Sequence, residues 1–189
     1  MKKKLLQNVG WYLTFILLFG YSSFAEKSSP PDVYHSTAGK IDFYALGKPS
    51  MLKIHGDAKT VEGTLQKVGD EFSGHFQMKM NDLSTGIGMR DSHMRNKIFE
   101  VEKYPTAEMT LKPIHAKSGE KTAFSGTLKF HGVEKEVQGE TTLKLSDNKV
   151  GYDSTFKILL TDFNIQPPDF AGMRVENEIR VELSGEGTK

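Results

Sequence analysis

The chain has 189 residues, 37% of them hydrophobic, with 25 Lys and Arg set against 24 Asp and Glu, and it has no cysteine. Without cysteine there can be no disulfide, no thiol catalysis and no thiolate metal site, and a near-even charge balance offers no basic patch that would favour nucleic acid. The length suits one domain with a sizeable core.

The first 25 residues read as a secretory signal. Lys2, Lys3 and Lys4 form a positive start, an apolar stretch runs from Trp11 to Phe19, and Ser23-Phe24-Ala25 offers small residues where a signal peptidase reads them. The stretch is shorter than the roughly 20 apolar residues a membrane-spanning helix needs. Left uncleaved it would be an anchor, but the Ser-x-Ala site favours cleavage after Ala25. Three lysines and no acid leave with the signal, which takes the formal charge from +1 to −2. Residues 26–39, "EKSSPPDVYHSTAG", are polar with two prolines and read as a flexible leader, so the folded domain is expected over 40–189.

Beyond the leader the dominant period is two. "GKIDFYALG" places Ile41, Phe43 and Ala45 on one face, and weaker strands are expected at Met51–Ala58 and Val61–Gln66. "FSGHFQMKMND" places Phe72, Phe76, Met78 and Met80 on one face. The alternation returns with Met109 and Leu111, with Phe124, Leu128 and Phe130, and with Val137, Leu143 and Leu145. It continues with Tyr152, Phe156, Ile158 and Leu160, and with Val175, Ile179, Val181 and Leu183. Turns are expected at Gly69-Asp70, Lys117-Ser118-Gly119, His131-Gly132 and Asp147-Asn148. Room for helix remains only near 89–99 and at 167–173, where Pro167-Pro168 stops the preceding strand.

Strict alternation means one face buried and one wet, so the fold class is all-β and antiparallel, a barrel or a sandwich of eight or nine strands, of which an eight-stranded barrel is the favoured form. Such a barrel either fills with side chains or holds one small ligand. Its expected apolar lining is Phe43, Phe72, Phe76, Met78, Met80, Met109, Phe124, Phe130 and Phe156, punctuated by Gly74, Gly126 and Gly139. The glycines either let the barrel bend or leave room for an elongated apolar guest. Both readings stay open at this level.

"RDSHMRNKIFEVEKYPTAEMT" (90–110) concentrates charge. Asp91 and Arg95 have helical i, i+4 spacing, and Arg90, Met94 and Ile98 share a helical face, so a short helix would lay Met94 and Ile98 onto a barrel end. In one reading Asp91 and Arg95 hold this closure in place. In the other, Arg90, His93 and Arg95 meet an anionic head group, for which a planar guanidinium fork is well shaped. Charge clusters hold loops more often than they bind ligands, which favours the first.

The sequence offers no catalytic or metal constellation. His35, His55, His75, His93, His115 and His131 are scattered, without His-x-His, His-x-x-x-His or His-Glu-x-x-His spacing, and there is no Gly-x-Ser-x-Gly. A reaction chamber would need polar groups converging inside the barrel, for which Asn177, Thr141 and Ser154 are the candidates.

The run "TGIGMRDSHMRNKIFEVEKYPTAEMT" resembles the signature segment of the YceI-like family, exported lipocalin-fold proteins associated with polyisoprenoid binding. There an Arg-Asp-x-His-aliphatic pattern precedes an aromatic residue, Lys-Tyr-Pro and a strand. "GTLKFHGVEKEV" (126–137), "LTDFNI" (160–165) and the closing "VENEIRVELSGEG" extend the likeness over most of the chain beyond the signal. Two departures stand out: "IDFYALGKPSMLKIHG" inserts Gly-Lys-Pro-Ser before the second strand, and the signature's aromatic pair is reduced to Ile98-Phe99. The resemblance implies an eight-stranded barrel with an apolar channel, a periplasmic location, and a non-enzymatic role in binding or carrying an isoprenoid or similar amphiphilic lipid. No cofactor or nucleic acid is expected, and transient membrane contact is compatible with this role. The alternatives are a filled barrel acting as a stress-related or protein-interaction module and, behind it, an enzyme that uses the cavity.

Overall fold

A computed structural model describes residues 30–49, 52–170 and 172–189. The expected signal segment therefore lies outside the described residues. Eight long antiparallel strands form the wall: β1 (Asp32–Lys48), β2 (Leu52–Val68), β3 (Glu71–Lys79), β4 (Thr106–His115), β5 (Lys121–Phe130), β6 (Val133–Ser146), β7 (Lys149–Leu159) and, last in the chain, β10 (Glu178–Thr188). Each pairs with its neighbour in order, and β10 pairs with both β7 and β1, which closes the barrel. A short hairpin of β8 (Asp169–Phe170) and β9 (Met173–Val175) attaches to the end of β1. This hairpin occupies the stretch where a second helix had room, because Pro167 and Pro168 favour extended backbone there.

Two sequence expectations about the first strands are corrected. The leader does not run to residue 39, since β1 begins at Asp32 and buries Tyr34 and Ser36 inside the barrel. The two strands expected at 51–58 and 61–66 are one strand, β2. Both misreadings have one cause. Register shifts around Gly39 on β1, opposite Val61 and Ala58, insert an extra residue into each strand in turn. Each bulge moves the inward set to the other parity: Tyr34 and Ser36 give way to Ile41, Phe43 and Ala45, and Ala58 gives way to Val61 and Leu65.

The single α-helix among the described residues, α1 (Gly88–His93), continues as a π-helical turn from Met94 to Ile98. With the end of β1, the start of β2, the turn at 131–132 and the connection from 160 to 177, it lies at one end of the barrel, the mouth. Both ends of the described chain lie at the other end. The turn between β5 and β6 has positive φ at His131 (51°) and Gly132 (74°), the pairing that a two-residue hairpin of matching twist requires.

The half away from the mouth is packed solid. Phe72 is wholly buried, as is Val150, and Tyr34, Leu65, Ile114 and Leu143 close around them. Outside, cross-strand pairs such as Lys129–Glu108 and Lys121–Glu140 decorate the wall. Exposed pairs of this kind contribute about 0–1 kcal/mol each, so stability rests on the packed half. Phe72→Ala is expected to cost about 3–5 kcal/mol in denaturant unfolding with the m-value unchanged. Phe43→Ala, which removes a ring bordering open space, is expected to cost clearly less.

Candidate functional site

The half towards the mouth is not filled. It encloses a cavity of about 590 Å³ walled by inward side chains of the strands and roofed by α1 and its π-turn. That lies within the roughly 300–1,000 Å³ of ordinary ligand sites. Five of the nine residues expected as lining border it: Phe43, Met78, Met80, Phe130 and Phe156. The other four, Phe72, Phe76, Met109 and Phe124, point inward as expected but are buried in the packed half, because they sit one or more inward positions further from the mouth. Residues that sequence reasoning did not nominate complete the wall, among them Ile41, Ile54, Leu128, Ile158, Ile179 and Val181. Most of these already shared an inward face in the alternation; only the depth of each along its strand was missing.

Thr85, Arg90 and His93 border the cavity, while Arg95 does not. The charged cluster thus separates into two jobs. Asp91, only 6% exposed, collects the loop ahead of the helix. Its carboxylate accepts hydrogen bonds from the Ser84 hydroxyl (2.7 Å), the Thr85 hydroxyl (2.5 Å) and the Thr85 N–H (2.7 Å). Arg95 donates through Nε and Nη2 to the Leu83 carbonyl at 3.3 and 3.1 Å. Ser84 is in turn bridged to Asp57 of β2 by two backbone bonds, 2.8 and 2.9 Å, which pin the loop to the wall.

Arg90 is oriented by the same loop. Its Nε donates to the Thr85 hydroxyl oxygen (2.7 Å) and its Nη2 to the Thr85 carbonyl (3.1 Å). The Thr85 hydroxyl therefore accepts from Arg90 while donating to Asp91. It is the hub of the cluster, and nothing in the spacing of the motif singles it out. The left-handed conformation of Gly86 (φ 77°) lets the chain turn directly after it.

The remaining motif residues tie the far side of the mouth. The Tyr104 ring lies 4.3 Å from the His131 ring, and Gly132 leaves the space that the Tyr104 ring fills. His131 Nδ1 donates to the Phe163 carbonyl (3.0 Å), and its Nε2 faces Glu100 at 3.2 Å. Three loops are joined through one histidine.

Other polar clusters stand apart from the cavity. Asn177 bonds Thr161 twice at the mouth (3.0 and 2.9 Å), whereas Thr141 and Ser154 bond each other (2.8 Å) lower in the barrel. They do not converge. On the outer wall Asp42 receives Lys40 and His55, each at 2.8 Å, and Tyr44 stacks on His55 beneath Arg180. That ladder spans β2, β1 and β10 from outside. No group of three His, Asp or Glu side chains among the described residues is placed to hold a metal ion.

Burial pushes the Asp91 carboxyl up, but the hydroxyls of Thr85 and Ser84, the Thr85 N–H and the nearby Arg95 charge outweigh it and hold it below its ordinary 3.8. A carboxyl lowered in the folded state stabilises fully above its unfolded value, and that stability is lost as pH falls through the folded value. Asp91→Asn is expected to cost about 1.5–3 kcal/mol at neutral pH, the range for hydrogen bonds to a charged group. Urea unfolding across pH should show the gap between variant and wild type closing only below about pH 4.

Comparison with known proteins agrees with this architecture. The model of the YceI-like domain matches residues 32–187, the span of the barrel itself. A UPF0312 protein of Pseudomonas putida (strain GB-1) is 31% identical over 140 residues, covering 68% of this chain and 72% of that protein. Among solved structures, BcnA of Burkholderia cenocepacia superposes with a TM-score of 0.67 at 18% identity, covering 79% of this chain and 96% of that one. A polyisoprenoid binding domain from Saccharophagus degradans superposes with a TM-score of 0.65 at 18% identity, covering 82% of this chain and 97% of that one. With the matched span, the closed barrel and the signature segment in agreement, the chain belongs to the YceI-like family.

Proposed function

We propose that the protein is a non-catalytic carrier that holds an isoprenoid or similar single-chain amphiphile in the barrel, head group towards Arg90 and His93. The observation that carries this reading is the 590 Å³ cavity with apolar walls, bordered by Thr85, Arg90 and His93 at its roof. A filled-barrel module would have no such space, and a reaction chamber would bring polar groups together inside it. The structural relative described as a polyisoprenoid binding domain supports the ligand class. The signal-like start of the sequence supports export to the periplasm, with Glu26 as the first mature residue.

The energetics place the burden on the head group. Removing one five-carbon isoprene unit from water is worth up to about 4 kcal/mol. A lipid taken from a membrane has that gain already, so an apolar cavity alone breaks even against the bilayer. Net affinity must come from fit and from the polar edge. Arg90 has two of its five N–H donors engaged with Thr85, which fixes the fork and leaves donors for an anionic or hydroxyl head.

A carrier must also meet its source. Of the six large apolar side chains exposed among the described residues, five (Leu46, Leu52, Ile87, Met89 and Leu159) belong to the mouth end, and only Val68 to the other. Met89 is 80% and Ile87 52% exposed. An apolar collar around an open mouth is the surface of a protein that rests on lipid while its ligand moves across.

Native mass spectrometry of the protein recovered from its exporting host is expected to show a chain beginning at Glu26 with about one lipid bound. Arg90→Ala should lose an anionic prenyl lipid about tenfold more readily than wild type, the effect of one charge-assisted bond. Arg95→Ala should instead lower stability with little change in affinity once folded. Leu46→Glu and Leu159→Glu, outside the cavity lining, should slow uptake from vesicles about tenfold, equivalent to about 1.4 kcal/mol of lost apolar contact, without changing affinity for a dispersed short-chain lipid.

A further inference from the structure

The boundary between the open and packed halves lies at one level on every strand where it can be traced. Along β3, Met78 borders the cavity and Phe76 does not; along β4, Ala107 does and Met109 does not. The same step separates Leu128 from Phe124 on β5, Phe156 from Ser154 on β7, and Val181 from Leu183 on β10. A bulge or a sparse core would give a ragged boundary. This one is a floor.

The floor is built, and glycines on neighbouring strands are what seat it. Phe76 meets the Tyr152 ring edge-on at 5.1 Å, and Gly63 of β2 offers its bare Cα to the Phe76 ring. Phe124 meets Phe156 edge-on at 6.2 Å over Gly139 of β6. The Tyr152 side chain passes Gly185 to reach Gly39, and its hydroxyl is bonded to Ser36 at 2.6 Å. A Cβ at Gly63, Gly139 or Gly185 would run into the ring it faces. Of the glycines that the sequence left undecided between bends and ligand space, Gly139 thus serves the plug, and Gly74 and Gly126 face the Leu65 and Met109 side chains of the same half.

We propose that Phe76, Met109, Phe124 and Tyr152, the packed layer directly beneath the lowest residues that border the cavity, act as a ruler that sets the length of the bound chain. The proposal rests on the lipid-carrier reading and sharpens it. At roughly 30 Å³ per atom, the share of a water molecule in the liquid, 590 Å³ accommodates on the order of 20 heavy atoms. That is about four isoprene units. The ligand class is a single-chain prenyl amphiphile of about this length, its tail against Met78, Ala107, Leu128 and Phe156, which the floor backs, and its head at Thr85, Arg90 and His93. A longer chain fills the cavity and leaves its excess at the mouth.

The test is equilibrium binding of all-trans prenyl alcohols of two, three, four, six and nine isoprene units, presented without vesicles, to the full-length exported protein. Affinity in the wild type should rise at least about tenfold per added unit up to four and by less than about threefold beyond, since only buried carbons contribute. Phe124→Ala removes part of the floor and should move the plateau to longer chains. Phe76→Leu is a milder opening should that variant unfold. Ala107→Leu raises the floor and should move the plateau to shorter ones. Affinity that keeps climbing through six and nine units in the wild type, or a plateau that stays fixed in the floor variants, overturns the ruler while leaving the carrier intact. Failure of every chain length to bind overturns the carrier reading itself.

Discussion

Pairing of the first long strand with the last is the constraint from which the rest follows. β10 lies against β1 with Phe43 opposite Val181 and Ile41 opposite Leu183, and this seam turns a sheet into a tube. Closure removes the two exposed edges that would otherwise template pairing with another chain. It also fixes an inside. Every inward side chain must then either pack on another inward side chain or border empty space, and which of the two happens is decided level by level along the axis. Large rings seated against glycines fill one half. In the other half smaller and softer groups such as Ala45, Ala107 and Met80 stop short of the centre.

The signature cluster is subordinate to that tube. Its residues would be solvated charges on an isolated helix, and the Asp91–Arg95 spacing alone would be worth a few tenths of a kcal/mol. In the folded protein both residues reach back to Ser84, Thr85 and Leu83, the segment that leaves the wall and returns as α1. The cluster thereby converts a long connection into a rigid roof. On the other side of the mouth, His131 and Tyr104 do the same for three shorter connections. Motif residues far apart in the chain share one purpose, which is to hold an opening of defined shape above a half-empty barrel.

The same dependence on closure decides what could be read in the sequence and what could not. The strands from β3 onward, the helix near 89–99 and most of the inward set were legible because period two is local, and it is strong from Phe72 to Met80 and again from Phe124 to Phe130. The start of β1 was not legible, since a bulge near Gly39 puts Tyr34 and Ser36 out of phase with Ile41 and Phe43. That shift also made β2 read as two strands. Depth was hidden as well: alternation shows that Phe72 and Phe43 face inward, but only the register of the closed barrel shows that one is plug and the other is wall. Arg90 and Arg95 look equivalent on the helix, and it takes the position of the Leu83 carbonyl to tell them apart.

If the barrel carries such a lipid as proposed, its selectivity lies at its ends. Between the roof and the floor the wall is apolar and partly built of methionine, a side chain that adapts to many shapes and therefore discriminates weakly. Extraction from a bilayer gains nothing further from such a wall, because the tail leaves one apolar medium for another. The terms that do change are the contacts that a bilayer cannot supply: a fixed guanidinium beside an imidazole at the mouth, and a hard stop of aromatic rings at the bottom. A ligand with the right head and the right length satisfies both at once, while one with a mismatched length must give up one to keep the other. On the carrier reading, the glycine-seated floor and the Thr85-oriented arginine would be two halves of a single recognition device, separated by the length of the chain it measures.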